Sequence, residues 1–427
     1  MRIIEGFAKV KPLLSRQAVQ VAEEDIERER NVRQWVDDVR RRGDAALFEY
    51  LLKFDGVKLT SLEVTREQID CAYREVDKEL IAAMKLAAGR IAAYHGEQKK
   101  KLLQDNAKAK LGWVIRPLQR VGVYVPGSST PLPSSLLMTV VPARVAGVKE
   151  VILVTPPQSN GQISPIKLAA ARIAGVDRVF SVGGAQAIAA LAYGTESIPA
   201  VDKVYGPGNI YVMLAKKMVY GAVGIDGLFG PSEVIIIADD TANPAYVAAD
   251  LLAQAEHGSL AWAILITTSR KVADAVNLEI EKQLKDLPRR EIIVEALEKL
   301  GFIAVVNSVD DAVKLGNLNA PEHLCLVVKN AASYIDKVRT AGCLFVGENA
   351  VEALVDYAAG PSHVLPTGGT ARFGSPLNVL DFVKLITIIK TNAAEIKKLG
   401  KATSIIARAE GLEAHARAVE KRLEDLE

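Results

Sequence analysis

The chain has 427 residues, 49% of them apolar, and its 53 Lys and Arg against 51 Asp and Glu leave a formal net charge of +2. That length predicts two or three domains on the order of 150 residues each. The near-neutral balance, with no basic stripe, leaves no nucleic-acid footprint, and no apolar run reaches the roughly 18 residues of a membrane span.

The amino terminus, MRIIEGFAKVKPLLSR, spaces charges through its apolar residues and lacks the apolar core of a signal peptide, so a soluble, cytoplasmic protein is expected. Residues 1–110 read as helical, with Val32, Val36 and Val39 and then Leu47, Leu51 and Phe54 at helical spacing, interrupted by Gly43-Asp44. From Val114 short β-branched runs alternate with alanine-rich stretches: Val151–Thr155, Val179–Val182, Val201–Tyr205, Val234–Ile237, Ala263–Thr267, Phe302–Val306, Leu324–Val328 and Leu344–Val346. Strand–helix alternation of this kind predicts an α/β fold with parallel sheets and crossover helices. VKEVILVTPP and LAWAILITTS are weak echoes suited to two α/β units of similar build, without a fixed period. After Gly374 the chain turns through SPLNVLDFVKLITIIK and enters charged helices from about Ala393, whose apolar stripe needs a surface to cover it. Cys71, Cys325 and Cys343, odd in number and widely spaced, read as reduced core thiols.

The five histidines fall at 95, 257, 323, 363 and 415. Gln254 and His257 in LLAQAEHG are three apart near a helix end and share a face, which Glu256 leaves. His363 stands in the loop AAGPSHVLPTGG, seven residues after Asp356, and His415 follows Glu410 in EGLEAHARAV. Nitrogen and oxygen donors from Gln, His and Asp suit zinc or another borderline divalent ion with room for substrate, although a QxxH spacing alone is a weak signal and a lone histidine is more often a hydrogen-bonded loop residue. In NLNAPEHLCLVV, Glu322 and His323 sit at the entrance of a doubly covered strand. Adjacent strand residues face opposite sides, so the pair serves one pocket only if the Ala320-Pro321 turn re-aims one of them. The alternative is a solvated Glu beside a hydrogen-bonded His. No GxGxxG follows a strand; VGGAQA and YGPGNI are glycine turns entering helices, fit for phosphate approach but common in α/β proteins.

Over essentially its whole length, through RVGVYVPG, GGAQAIAALAYGT, DKVYGPGN, GPSEV, DLLAQAEHG, NAPEHL, DYAAGPSHVLPT, ARFGSPL and EGLEAHARAVEKRL, the sequence resembles the histidinol dehydrogenase family. The resemblance implies two incomplete Rossmann-like domains with parallel sheets. On this chain they fall at 111–235, with the NAD-contact motifs, and 236–376, with the metal and catalytic motifs. An N-terminal helical region, 1–110, has its later part packed on the first of them, and a C-terminal helical arm, 377–427, is exchanged in a homodimer. It implies NAD-linked, zinc-dependent oxidation of L-histidinol to L-histidine through L-histidinal, the last step of histidine biosynthesis, with one zinc ion per subunit. By the same resemblance the zinc ligands fall on Gln254, His257, Asp356 and His415, and the catalytic pair on Glu322 and His323. Substrate contacts fall on Ser232, His363 and Glu410 besides His323 and the zinc ligands, and NAD contacts on Tyr124, Gln186 and Asn209. His323 is then the base for the alcohol proton and Glu322 the group that activates water for the aldehyde.

Two departures stand out. Gly227-Leu228-Phe229 replaces a family triplet such as Met-Pro-Ala beside Ser232, which bears on pocket shape. Ser128 replaces a usual glycine after Pro126-Gly127, which bears on cofactor approach. Two other functions fit the residues: a family relative oxidising another small polar alcohol, which the retention of His363 and Glu410 disfavours, and a zinc-dependent hydrolase, which the absence of HExxH weakens.

Overall fold

The structure, a computed structural model, describes residues 1–15, 23–127 and 130–426; Ser128 lies outside them. The chain opens with β1 (Arg2–Glu5), α1 (Phe7–Leu14), α2 (Glu23–Arg42), α3 (Asp44–Tyr50), β2 (Glu63–Val64), α4 (Arg66–Glu75) and α5 (Lys78–Leu102). There follow β3 (Leu111–Pro117), β4 (Arg120–Tyr124), α6 (Pro133–Ala146), β5 (Glu150–Thr155), α7 (Pro165–Ala174), β6 (Arg178–Ser181), α8 (Gly184–Tyr193), β7 (Lys203–Tyr205), α9 (Ile210–Val219) and β8 (Gly224–Ile225). Next are β9 (Glu233–Ala238), α10 (Pro244–Ala255), β10 (Trp262–Thr267), α11 (Arg270–Gln283), α12 (Arg290–Lys299), β11 (Phe302–Val305), α13 (Val309–Asn319), β12 (His323–Val327), β13 (Cys343–Val346) and α14 (Glu352–Tyr357). The chain ends in β14 (Val383–Ile389), α15 (Ala393–Ala409) and α16 (Glu413–Glu424).

These elements form two compact units, one of residues 1–99 and 118–382, the other of 100–117 and 383–427. The larger holds two six-stranded sheets, ordered β2-β6-β5-β4-β7-β8 and β1-β11-β10-β9-β12-β13. Without its edge strand β2 or β1, each sheet has the same plan. Its first strand (β4 or β9) is central, the next two step outward on one side, and the last two step outward on the other. All of these pairings are parallel, and only β2 joins antiparallel. The weak sequence echoes of β5 and β10 therefore fall at the same topological position in both sheets.

The strands of the second sheet are apolar throughout because both faces are covered. Along β12, Cys325 and Val327 enter one core while Leu324 and Leu326 enter the other, and β9 divides likewise into Val234 and Ile236 against Ile235 and Ile237. In the first sheet α8 is hydrophobic all round, since Val32, Val36 and Val39 of α2 join its core cluster. Local punctuation follows composition: Asn209 caps α9 by accepting from the Tyr211 and Val212 amides, and Thr65 with Gln68 forms a capping box on α4.

Three features differ from the sequence reading. Besides its helices, the described part of 1–110 holds strands β2 and β1, and β1 pairs in parallel with β11 some 300 residues later (Arg2↔Phe302). Cys71 is exposed on α4, with Sγ 3.3 Å from Glu75 Oε1, so it is not a core thiol; Cys325 is buried and Cys343 partly so. The tail begins with a strand: β14 pairs antiparallel with β3 in the smaller unit, from Val383↔Pro117 to Ile389↔Leu111. In that unit α15 packs on α16, and Gly411, at φ 76°, makes the break between them that its missing Cβ allows.

Candidate active site

The first sheet presents a cleft of about 670 Å³ at the carboxyl ends of its strands. Tyr124 ends β4, Pro126 and Pro156 follow β4 and β5, Gly184 to Gln186 begin α8, and Asn209 caps α9. The chain reverses its stepping direction between β4 and β7, so this is the switch point where α/β sheets open a crevice. The Tyr124 hydroxyl accepts from the Gly184 amide at 3.4 Å, and burial pushes its pKa up to about 12. Tyr124, Gln186 and Asn209, scattered over 86 positions, all line this one cleft.

The second pocket, about 250 Å³, gathers Ser232, His257, Glu322, His323, Asp356 and His363. Its place in the sheet is inverted: Ser232 precedes β9, His257 lies ahead of β10, and Glu322 and His323 open β12, all at amino ends. Pro207, two residues before the Asn209 of the first cleft, also lines it, as do Ser134 and Ser135 of α6. Cleft and pocket thus adjoin at the β7–α9 turn.

One residue of β9 holds the Glu-His pair through its backbone. The Glu233 amide donates to Glu322 Oε2 at 3.0 Å, and the Glu233 carbonyl lies 3.2 Å from His323 Nδ1. Ala320 is left-handed at φ 53° ahead of Pro321, so the turn does re-aim the pair toward a common wall. A carbonyl only accepts, hence Nδ1 carries the proton and Nε2 is the free basic nitrogen. His323 Nε2 is buried without a partner among the described residues. Burial depresses its pKa to about 3, so the ring is neutral. Burial pushes Glu322 well above the carboxylate range, with the Glu233 amide opposing and the Glu233 and Asp356 charges adding to the rise.

His363 is fixed in the same way, its Nδ1 2.9 Å from the Asp356 carbonyl, and burial lowers it to about 4. Asp356 is pushed up to about 6 by burial, against the pull of His257; the imidazole of His257 is depressed by its surroundings and raised by Asp356.

His257, Glu352 and Asp356 offer ligand atoms that lie within 4.8 Å of one another. Glu352 is absent from the sequence reading, although its spacing of four from Asp356 on α14 was the signal for a shared face. Its Oε1 is 3.4 Å from His323 Nδ1, its other oxygen is buried without a partner among the described residues, and burial with the neighbouring Asp356 charge raises its pKa strongly. His257 lies beyond the end of α10 rather than on it, but its amide donates to the Gln254 carbonyl at 3.2 Å, which carries the helical turn through to it. Gln254 is fully buried and neither end of its amide has a partner among the described residues. Such an orphan is costly unless a ligand satisfies it. Carboxylates and imidazoles line the pocket and no Lys or Arg does. The donor set therefore fits a divalent cation of intermediate hardness.

Glu410 and His415 belong to the smaller unit. Glu410 ends α15, and His415 lies in the first turn of α16, with its amide donating to the Leu412 carbonyl at 3.1 Å. Leu228 is exposed, while Phe229 lines the pocket under Lys216, whose ammonium is 4.9 Å from the ring centroid.

A cleft at a switch point, adjoining a pocket of carboxylates and imidazoles, marks an α/β enzyme. Within that class the chain belongs to the histidinol dehydrogenase family, whose profile matches residues 18–423. It is 52% identical to histidinol dehydrogenase of Dehalococcoides mccartyi strain CBDB1, over 99% of this chain and 100% of that one. With histidinol dehydrogenase of Streptococcus mutans the identity is 48%, over 97% of each chain. The crystal structure of histidinol dehydrogenase from Elizabethkingia anophelis superposes with a TM-score of 0.93 at 38% identity, over 100% of this chain and 98% of that one.

Proposed function

We propose that this oxidoreductase converts L-histidinol to L-histidine through L-histidinal in the cytoplasm, using NAD in the first cleft and one zinc ion per subunit beside the second pocket. The observation that carries the reading is the pocket that gathers Glu322 and a neutral His323 with free Nε2 beside His257, one helical turn from a buried Gln254 amide that has no partner among the described residues.

Gln254, His257 and Asp356, with His415 of a second copy, would hold the zinc, which would supply a Lewis-acid centre beside the substrate. Tyr124, Gln186 and Asn209 would hold NAD, which supplies the hydride acceptor. His323 Nε2 takes the alcohol proton, while the Nδ1 bond to the Glu233 carbonyl keeps the ring in the accepting tautomer. Glu322 in its ionised form, steadied by the Glu233 amide and made more basic by burial, takes a proton from the water that adds to the aldehyde. Ser232 and His363 line the wall for substrate contacts. Glu352, whose Oε1 lies 3.4 Å from His323 Nδ1, adds a carboxylate beside His257 and Asp356.

Glu410 and His415 complete the site from a second copy of the chain. Exposed apolar residues of the smaller unit, Leu385, Ile386 and Ile389 on β14 and Ile405 and Ile406 on α15, supply a surface that such a homodimer would cover. Phe229 in the wall bears on the alternative of another small polar alcohol. The test is to supply zinc, NAD and a panel of amino alcohols. L-Histidinol should be turned over fastest, with two NADH per histidine formed; one NADH per turnover, or preference for another alcohol, would overturn the reading.

A further inference from the structure

The first cleft carries one feature that no step above uses. Among the described residues its lining includes a single charged side chain, Asp55, and neither Lys nor Arg. Asp55 ends a π-helical turn, Leu51–Asp55, that continues α3 and is closed by Gly56 at φ 70°. Such turns displace the following side chain from the regular helical path and are frequent at functional sites. The carboxylate is half-buried, accepts no hydrogen bond from the described residues, and has its pKa raised by desolvation alone. A carboxylate drawn into a cleft without an internal partner has acceptor capacity to spare for a ligand.

The surroundings say which part of a dinucleotide lies there. Phe54, the neighbour of Asp55, packs edge-on against Trp35 at 5.0 Å, and Trp35 meets Tyr211 at 5.7 Å; all three rings line the cleft. An aromatic corner of this kind suits a flat base. The amino ends of α8 and α9 also line the cleft, and their positive dipole ends suit phosphate oxygens. A carboxylate beside the base corner is placed for the sugar between them.

We propose that Asp55 clamps the adenosine ribose, accepting hydrogen bonds from its two hydroxyls, and so selects a dinucleotide with a free 2′-hydroxyl over one with a 2′-phosphate. The proposal rests on the reading that this cleft takes NAD. A 2′-phosphate would put a dianion against the carboxylate with no cation in the lining to offset it, whereas a diol satisfies both oxygens. Asp55 comes from the helical region ahead of the first strand of the sheet, not from the strand-end position where α/β dinucleotide sites usually keep their acidic residue.

The test is equilibrium binding of NAD and of NADP to the zinc-loaded protein without substrate, read from the fluorescence of Trp35, a wall of the cleft. Asp55→Asn and Asp55→Ser are compared with Gln186→Ala, and thermal melting verifies that each variant is folded. Asp55→Asn should weaken NAD by about tenfold to a hundredfold while NADP is unchanged or tighter, collapsing the preference. If Gln186→Ala weakens NAD but both Asp55 variants bind and discriminate as wild type does, the clamp is wrong and the cleft assignment stands. If neither Gln186 nor Asp55 variants alter NAD binding, the cleft assignment falls and the clamp with it.

Discussion

The two parallel sheets share one strand plan yet are used from opposite ends. The cleft of the first sheet lies at the carboxyl ends of β4, β5, β6 and β7, where α8 and α9 begin. The pocket of the second lies at the amino ends of β9, β10 and β12, where α10 and α13 finish. Helix amino termini present unpaired amides and partial positive charge, and carboxyl termini present carbonyls and partial negative charge. One shared strand plan thus offers a partially positive end at the cleft and a partially negative end at the pocket that holds Glu322 and His323. The side chains agree with the backbone: the pocket gathers Glu322, Asp356 and, next to it, Glu352, while the cleft relies on glycine turns and amides.

The contrast can be broken most severely at the proton-transfer pair. His323→Asn should lower histidinol oxidation by about a hundredfold to ten-thousandfold, and Glu322→Gln should lose histidine formation while retaining more of the alcohol step. Assaying histidinol and histidinal separately checks this; equal losses in both half-reactions would remove the division of labour. NAD affinity should stay near wild type in both variants.

Metal binding should follow the second pocket alone. His257→Ala and Asp356→Asn should cut zinc occupancy by at least about tenfold, Gln254→Ala should lower it as well, and Glu256→Ala should leave it unchanged. Elemental analysis after dialysis measures this. Glu352→Gln sharpens the point: a loss of zinc as large as that of Asp356→Asn would make Glu352 a ligand, whereas retained zinc with slowed alcohol oxidation would assign it to His323.

A pair of glycines compares the two ends by backbone alone. A Cβ on Gly206, at φ 116°, would overlap the Tyr124 carbonyl, and one on Gly342 would lie 2.6 Å from the Glu322 carbonyl. Gly206→Ala should destabilise by about 1–3 kcal/mol and weaken NAD. Gly342→Ala should instead slow turnover with NAD affinity kept, as calorimetry and kinetics together would show.

The smallest effect is electrostatic. In zinc-free protein burial moves the Asp356 pKa from its ordinary 3.8 to about 6. The folded state therefore holds this proton more tightly than the unfolded state, and the favourable contribution, complete below about pH 3.8, is lost as pH rises through about 6. Melting temperature measured across that window should fall less steeply in Asp356→Asn.

How far the sequence revealed this molecule depended on how local each signal was. The β-branched runs from Val151 to Val346 mark buried parallel strands because both faces of each strand are apolar, and QAEHG and PEHL mark side chains set at element ends. β1 was hidden because Arg2–Glu5 is a four-residue edge strand whose partner, β11, is remote in sequence. β14 was read as part of a helical arm because its exposed apolar residues make no two-sided pattern; Leu385 and Ile386 are both exposed. Glu352 shares a helix face with Asp356 by its spacing of four, but only its burial separates it from an ordinary helix-surface carboxylate. The inverted use of the second sheet was equally out of reach, since no local motif states which strand end a loop will occupy.

The most direct test of opposed ends is a crystal structure of the protein loaded with zinc and NAD. Anomalous density for zinc held by Gln254, His257 and Asp356 at the amino ends of the second sheet, with the pyrophosphate at the amino termini of α8 and α9, is the expected result. An ion in the first cleft, an ion held by Glu256 or His95, or a nucleotide seated at the second sheet would contradict it.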